Sequence, residues 1–560
     1  TQQWVAKVCL TTEQTLAQWE KTIQSYPSTI ALLSKAHKTA QLAHSAWELL
    51  HAWQIPLARL ENSHLNETEQ FLAWLIPFKA ALKKNNWLTL AELPAYLSKH
   101  LPQTYCSTLA PLYLVGFDEI EPNLSALLST LQQYGLKLKF WDEKQPLTKT
   151  HKLSCDNHLA ELSLALHFAK NELAQDPNAR IGIVVPELKT HRNTLISLSQ
   201  KLFYPDAFLR EPEAHQFVNI SGGIRLSDTL LVQTIFMVLK LKNDRIAIPD
   251  LYWLWHSPYL NFKEYETLRP LLELPLCQKY NKYLSHTTLL RFLCQQLHLE
   301  NKETLPFYTA LQTPPSHYSS PQSHHTWVEI FHHYLVALGF PGNRSLSSSD
   351  VQHLHAWEDL LRTFASLDTV NAKISFEEAI TQLHYLCEQK LFQAKTEDAP
   401  IQILGLLEAS GLEYTKLWIT GLNEGALPSN PRPHPLLPIS LQKQWSMPHA
   451  DAVREFNFSQ KIVSRLLSHS TESICSYSEE DKGILLRPSP LIHDFPPLNR
   501  TLLPLAATET EIPSLKTEYI QDFYGLKIAE QEAVSGGSHL FKLQAQCPFQ
   551  AYATLRLKVE

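Results

Sequence analysis

Two carboxylates, Asp118 and Glu119, follow the apolar run Leu112-Tyr113-Leu114-Val115 and the dipeptide Gly116-Phe117. Acidic side chains just past the end of a buried strand are where nucleotide-using enzymes hold Mg²⁺. Asp118 could equally cap the following turn, the commoner task for such a residue. A second polar group, Gly421-Leu422-Asn423-Glu424-Gly425, follows the apolar run Leu417-Trp418-Ile419-Thr420 and leads into a loop with prolines at 428, 431, 433, 435 and 438. The phosphate-cradling pattern G-x-x-x-x-G-K-[ST] occurs nowhere in the 560 residues. Eight cysteines, at 9, 106, 155, 277, 294, 387, 475 and 547, form no C-x-x-C pair. That spacing argues against a disulfide framework or a self-contained zinc site, and fits a reducing cytoplasm. Among 26 histidines, the pairs His324-His325 and His332-His333 lack the i,i+4 spacing plus acid of a metalloprotease helix.

The elements that must position these residues read as α/β. Short apolar runs bounded by glycine or proline indicate buried strands at 112–115, 136–141, 181–185, 401–407, 417–420 and 473–477. Helices between them, at 123–134 and 159–173, make strand–helix–strand units of a parallel sheet. Residues 11–100 are helical: Thr11 or Thr12 caps the helix carrying Leu16 and Trp19, and Pro27 breaks it. Ala40, Ala43, Trp47 and Leu50 recur at helical spacing and are read as core. Residues 225–395 are again helical, anchored by Trp253, Trp255, Trp327 and Trp357 and interrupted by the Pro/Ser/His-rich loop 313–325. A helix from Asp451 to Leu467 turns Phe456, Val463 and Leu467 inward. Residues 495–533, rich in Pro and Thr, read as a linker.

With a hydrophobic content of 44% and a net charge of −6, the composition is that of a multidomain globular protein with no global basic field. No uninterrupted apolar run reaches the ~18 residues of a membrane span, and no signal-peptide pattern opens the chain. A cytoplasmic protein with no membrane partner is expected.

Two segments carry a family resemblance. Gly411-Leu412-Glu413-Tyr414, Leu417 to Thr420, and Gly421-Leu422-Asn423-Glu424-Gly425 with Pro428 resemble the motif T-x-H-x-(A/S)-K-G-L-E-F…V…G-x-x-E-G-x-x-P of superfamily 1 helicases. Cys547-Pro548-Phe549, with Leu540 and Leu543 before it and Tyr552 and Arg556 after it, is similar to the opening helix of RecB-type PD-(D/E)XK nuclease domains. Together they resemble the AddB/RecB-like helicase–nuclease family. Leu114 to Glu119 then looks like a degenerate second helicase motif, and Glu161 with Arg180 to Pro186 like the start of a second motor domain. The resemblance implies RecA-like parallel-sheet domains with large helical insertions, truncated at both ends. It divides the chain into a helical insertion (1–105), a remnant of the first RecA-like domain (106–150), the second RecA-like domain (151–224 and 399–498) split by a helical insertion (225–398), a linker (499–533) and the start of a nuclease (534–560).

The departures from that pattern set the expected function. The coupling Thr, His and Lys of the helicase motif fall on Gly405, Leu407 and Ser410. The later T-R-A motif falls on Ile462-Val463-Ser464, with Arg454 and Arg465 nearby but out of register. A protein of DNA repair is therefore expected, with helicase-like domains that lack the ATPase motor, bind a single strand or duplex end, and feed a C-terminal exonuclease. The nuclease carboxylates and lysine, with their Mg²⁺, would lie downstream of Glu560, so no catalytic residue is assigned. The fragment itself is expected to be inactive and to hold no cofactor. Candidate DNA contacts are Arg225, Arg344, Arg432, His434 and Arg454, the proline-rich loop holding Arg432 and His434 rigidly; for each, a solvated surface group is the plain alternative. Cys547 is either packing, as lone cysteines usually are, or a ligand of the iron–sulfur cluster that AddB-type nucleases hold. The competing function is a non-catalytic RecC-like scaffold that binds DNA and a partner helicase or nuclease subunit.

Overall fold

The apolar runs read as strands do pair, chiefly in parallel. The computed structural model describes residues 7–26, 36–61, 65–102, 110–141, 149–203, 217–241, 245–260, 276, 282–299, 308, 311, 320–393, 399–499 and 536–557. Pro27, the loop residues 313–319 and the linker from 500 to 533 lie outside them. Two compact units are present, Thr1–Ala506 and Ala507–Glu560. No helix among the described residues is long and apolar enough to cross a membrane.

The first unit begins with β1 (Val8–Leu10), which pairs in parallel with β2 (Trp87–Thr89). Between them run helices that include Thr12–Gln24, Ala36–Ala52 and Asn66–Lys84. Thr11 starts the first through a capping box with Gln14, each side chain bonding the other's backbone N–H. Trp19, Trp47, Phe71 and Phe78 fill the shared core, with the Trp19 and Phe78 rings stacked at 3.7 Å. That core continues through Leu436, Leu437, Leu441 and Met447, so the N-terminal helices pack beneath the end of the proline-rich loop.

The strand β3 (Leu112–Val115) pairs in parallel with β4 (Leu138–Trp141), with the helix Pro122–Gln133 between them. The sequence predicts β3 to be buried, and here the structure differs. Leu112, Tyr113 and Val115 are exposed, and only Leu114 is enclosed. A two-stranded sheet cannot cover both faces of its strands, so apolar residues suited to a larger sheet face outward.

The main sheet takes β5 (Lys149–Asn157), β6 (Ile181–Val184) and β7 (Val218–Ile220) from before the helical insertion. Within that insertion lie β8 (Ile224–Arg225), β9 (Ile246–Ala247), β10 (Tyr283–Leu284) and β11 (Leu391–Phe392). After it the sheet gains β12 (Ile401–Leu404), β13 (Tyr414–Ile419), β14 (Ser470–Asp481) and β15 (Ile484–Leu485). The order is β5-β14-β13-β6-β12-β7, parallel throughout, with β15 folding back antiparallel on the end of β14. Strands distant in sequence thus lie side by side, as parallel sheets with long crossovers require. Antiparallel pairing of β8 with β11 closes the stem of the insertion, whose core holds Trp255, Trp327 and Trp357. Trp253, read from the sequence as an anchor there, is instead 40% exposed.

Helices cover both faces of the sheet. His158–Gln175 and Leu188–Phe203 lie on one, packing on Ile181, Ile183, Ile403 and Trp418. Ala452–Ser468 covers the other, against Val184, Leu417 and Ile419. This is an α/β fold. Gly182 sits mid-strand in β6 because the Tyr414 ring crosses it: a Cβ there would lie 2.6 Å from a ring carbon. In the second unit, helix Ser538–Gln546 is followed by Pro548–Ala551, with Cys547 at the junction.

Candidate functional site

The helix Ala452–Ser468 organises the first site. Asp451 caps it by accepting from the Arg454 N–H at 2.9 Å. Glu455, Ser459, Ile462, Val463 and Leu466 are buried, rather than the Phe456, Val463 and Leu467 set expected from the sequence; only Val463 is common to both. The adjacent stripe, Arg454, Phe458, Lys461 and Arg465, has i, i+4, i+7, i+11 spacing and so lies on one side. Arg465 reaches Asp118 at 2.7 Å and also donates to the Gly116 carbonyl. Gly116 has φ +73°, the left-handed conformation glycine adopts without cost. Arg454 reaches Glu119 at 2.7 Å and Glu455 at 3.3 Å, with its guanidinium 5.3 Å from the Phe458 ring centre.

The two carboxylates after β3 are therefore each neutralised by an arginine of this helix. Asp118 faces a cleft of about 670 Å³ that is also lined by Leu114, Phe117, Phe140, Lys461 and Arg465. Burial raises the Asp118 pKa, against the opposing pull of Arg465 and Lys461. Among the described residues no group of histidine, cysteine or carboxylate side chains could hold a metal ion. At the positions of the coupling residues, the Gly405 N–H donates to Glu408 at 3.2 Å, Leu407 is exposed, and the buried Ser410 hydroxyl has no partner.

A second cleft, about 250 Å³, opens at the carboxyl ends of β6 and β13 and is lined by His158, Glu161, Glu187, His191, Asn423 and Asp481. Such strand ends are where open α/β sheets place ligands. Glu161, only 1% exposed, is its hub. It accepts from the Gly421 N–H at 2.8 Å and from the Ser476 and Ser478 hydroxyls at 2.5 and 2.8 Å. His158 stands 3.5 Å away. Its hydrogen bond to Glu161 raises the His158 pKa against burial, whereas burial and the nearby His158 lower that of His191. The Glu161 carboxylate thus ties the start of one helix to the glycine turn after β13 and to β14.

The proline-rich loop is anchored at both roots by buried polar side chains. Glu455, 2% exposed, accepts from the Ser429 hydroxyl at 3.1 Å, the His449 N–H at 2.9 Å and His449 Nδ1 at 3.0 Å. Its burial opposes ionisation, yet these bonds hold its pKa below the usual glutamate value. Gln442, fully buried, accepts from the His434 N–H at 2.7 Å and donates to the carbonyls of His434 and Leu437. Between these anchors Arg432 is exposed, and no ion pair engages it among the described residues. His434 is different: burial pushes its pKa down to about 4, so the ring is neutral near pH 7 and brings no charge.

The other predicted contacts are dispersed. Arg344 is held by Asp350 at 2.8 Å and lies over the Tyr259 ring. Arg225 is exposed on β8 in the stem of the insertion. Arg454 is committed to Glu119 and Glu455. Cys547 is partly buried in the second unit. Sequence reasoning did not single out Glu455, Gln442 or the stripe through Arg465. The signal available was a glutamate in register with Ser459, Ile462 and Leu466, a polar group at a core position. Searches of protein-family models and of curated proteins find nothing that matches this chain.

Proposed function

We propose that this chain is a DNA-handling protein of the AddB/RecB kind, with RecA-like domains that guide a strand without ATP-driven movement. One observation carries the reading: Asp118 pairs with Arg465 and Glu119 with Arg454, each at 2.7 Å. In a working motor such carboxylates would serve Mg²⁺. Here the arginines satisfy them, and the sequence contains no phosphate loop. DNA is held on this reading by sequence-independent phosphate contacts, with Arg432 on the proline-rich loop the best-placed cation. Residues 534–560 begin the exonuclease domain to which the strand is led, where Mg²⁺ chemistry would take place. The test uses the chain as it stands: weak, salt-sensitive binding of single-stranded DNA, no DNA-stimulated ATP hydrolysis and no nuclease activity are expected. ATP turnover that rises with DNA would refute the loss of the motor. Undetectable single-strand binding at low salt would refute the guiding role.

A further inference from the structure

The roots of the Arg432 loop are built more elaborately than an exposed proline-rich connection requires. A surface loop normally satisfies its backbone with water. This one has a buried glutamate at its first root and a buried glutamine at its second, at 2% and 0% exposure. Burying such groups is unfavourable unless their hydrogen bonds are met. The loop meets those of Gln442 through His434 and Leu437 and supplies Ser429 to Glu455, whose other donors are His449 and Arg454. Glu455 also shares Arg454 with Glu119, so the hydrogen-bonded path runs from Ser429 through Glu455 and Arg454 to the turn after β3. Between the roots, Pro431, Pro433 and Pro435 restrict the backbone on both sides of Arg432.

We infer that Glu455 and Ser429 are positioning residues for Arg432, holding its guanidinium where a phosphate of a bound strand would meet it. The inference rests on the DNA-guiding reading above, which names the ligand. A cation on a free loop loses side-chain and backbone entropy when it binds, whereas a cation on a clamped loop has already lost much of it. Among the described residues the Ser429 hydroxyl makes one hydrogen bond, to Glu455. Glu455 has a further structural duty, because His449 and Arg454 also depend on it. Ser429 is therefore the cleaner probe.

The experiment measures binding of a fluorescein-labelled oligothymidylate to the full chain by anisotropy across a salt series. Variants are Arg432→Ala, Ser429→Ala, Ser429→Thr and the Ser429→Ala/Arg432→Ala double substitution. Arg432→Ala should weaken binding on the order of fivefold and flatten the log–log salt slope by about 0.7, the loss of one single-strand phosphate contact. Ser429→Ala should weaken binding about threefold in the parent and not at all when Arg432 is already absent, a non-additivity that general destabilisation would not produce. Ser429→Thr, which keeps the hydroxyl, should bind like the parent. If Arg432→Ala binds as the parent does, the assignment of Arg432 as a DNA contact fails, whatever Ser429 does. If Arg432→Ala weakens binding but Ser429→Ala does not, or if their effects simply add, the positioning role fails and the contact stands.

Discussion

Replacing Glu161 by alanine should loosen the carboxyl edge of the sheet while the rest of the first unit stays folded. The carboxylate is 1% exposed and, besides His158 at 3.5 Å, meets three donors: the Gly421 N–H and the hydroxyls of Ser476 and Ser478. Both hydroxyls have second partners. Ser478 Oγ lies 2.8 Å from His158 Nδ1, and Ser476 Oγ lies 3.5 Å from the Ile419 carbonyl. The Gly421 N–H, at a residue held with φ +66°, is the donor left stranded. A stranded buried donor costs about 1–3 kcal/mol, and each charge-assisted bond lost about 1.5–3, partly recovered by the hydroxyls. The sum is about 3–4 kcal/mol. A chain with several cores does not unfold in one step, so a global denaturation curve would blur the effect. Hydrogen exchange resolves it locally. Peptides covering Gly421 should exchange roughly two to three orders of magnitude faster in Glu161→Ala, since each 1.36 kcal/mol is about tenfold. Glu161→Gln keeps an acceptor for Gly421 and should change the rate only about tenfold. Because His158 has a raised pKa, its share of this stability is present below the ordinary histidine pKa and is lost as pH rises through the raised one. Exchange within about threefold of the parent in Glu161→Ala would refute the hub assignment.

Three further outcomes follow from other contacts. Removing Arg465 by alanine should cost about 1–2 kcal/mol locally, read as faster exchange across 112–118, because the pair it breaks is partly buried. Exchanging the two residues, Asp118→Arg with Arg465→Asp, should recover part of the loss, and no recovery would mean that the contact to the Gly116 carbonyl matters more than the charge pair. Gly182→Ala places a methyl 2.6 Å from the Tyr414 ring and should destabilise β6 by about 1–3 kcal/mol, with relief when Tyr414→Leu is added, both measured by protection of 181–184. In the insertion, burial opposes ionisation of Asp350, but bonds from Tyr259 and Ser347 and the charge of Arg344 hold its pKa low. Stability from a depressed carboxyl is complete above the ordinary aspartate pKa and is lost as pH falls through the folded one. Protection of 348–366 should therefore fall on acidification, and Asp350→Asn should remove that pH dependence while lowering protection at pH 7.

The strands legible in the sequence were the central ones. Ile181-Gly182-Ile183-Val184 and Leu417-Trp418-Ile419 are buried on both faces, so their composition alone marks them. The edge strands did not declare themselves. β5 reads KTHKLSCDN, in which only Leu153 and Cys155 are buried, and its outer edge is covered by the chain at 496–498. β7 is three residues long beside a glycine pair. The N-terminal helix hid its packing for another reason: it buries Gln14, Thr15, Gln18 and Thr22 beside Trp19, and Gln14 donates to the Ser366 carbonyl 352 residues away. A polar stripe satisfied by a distant partner cannot be told from a solvated one without the fold. Glu161 was legible as a marker at the start of a helix, but the donors that define its role come from residues 421, 476 and 478. The candidate site was legible in its parts and not in its pairing, since nothing local connects Asp118 to Arg465.

That pairing also sets how hard it would be to reverse. One helix presents two stripes a single residue apart: 455, 459, 462 and 466 turn inward, and 454, 458, 461 and 465 face the turn after β3. Rotating the helix to free the arginines would pull Glu455 from Ser429 and His449 and expose Ile462 and Leu466. The arginines can therefore leave their carboxylates only by side-chain movement. A Mg²⁺-nucleotide entering the cleft must break the Asp118–Arg465 pair, at about 1–2 kcal/mol, before using either group. A competing state favoured by about 1–2 kcal/mol lowers apparent affinity roughly fivefold to thirtyfold. On the proposed reading, the ion pairs keep the two parts of the fold in register where a working motor would use ATP to move them.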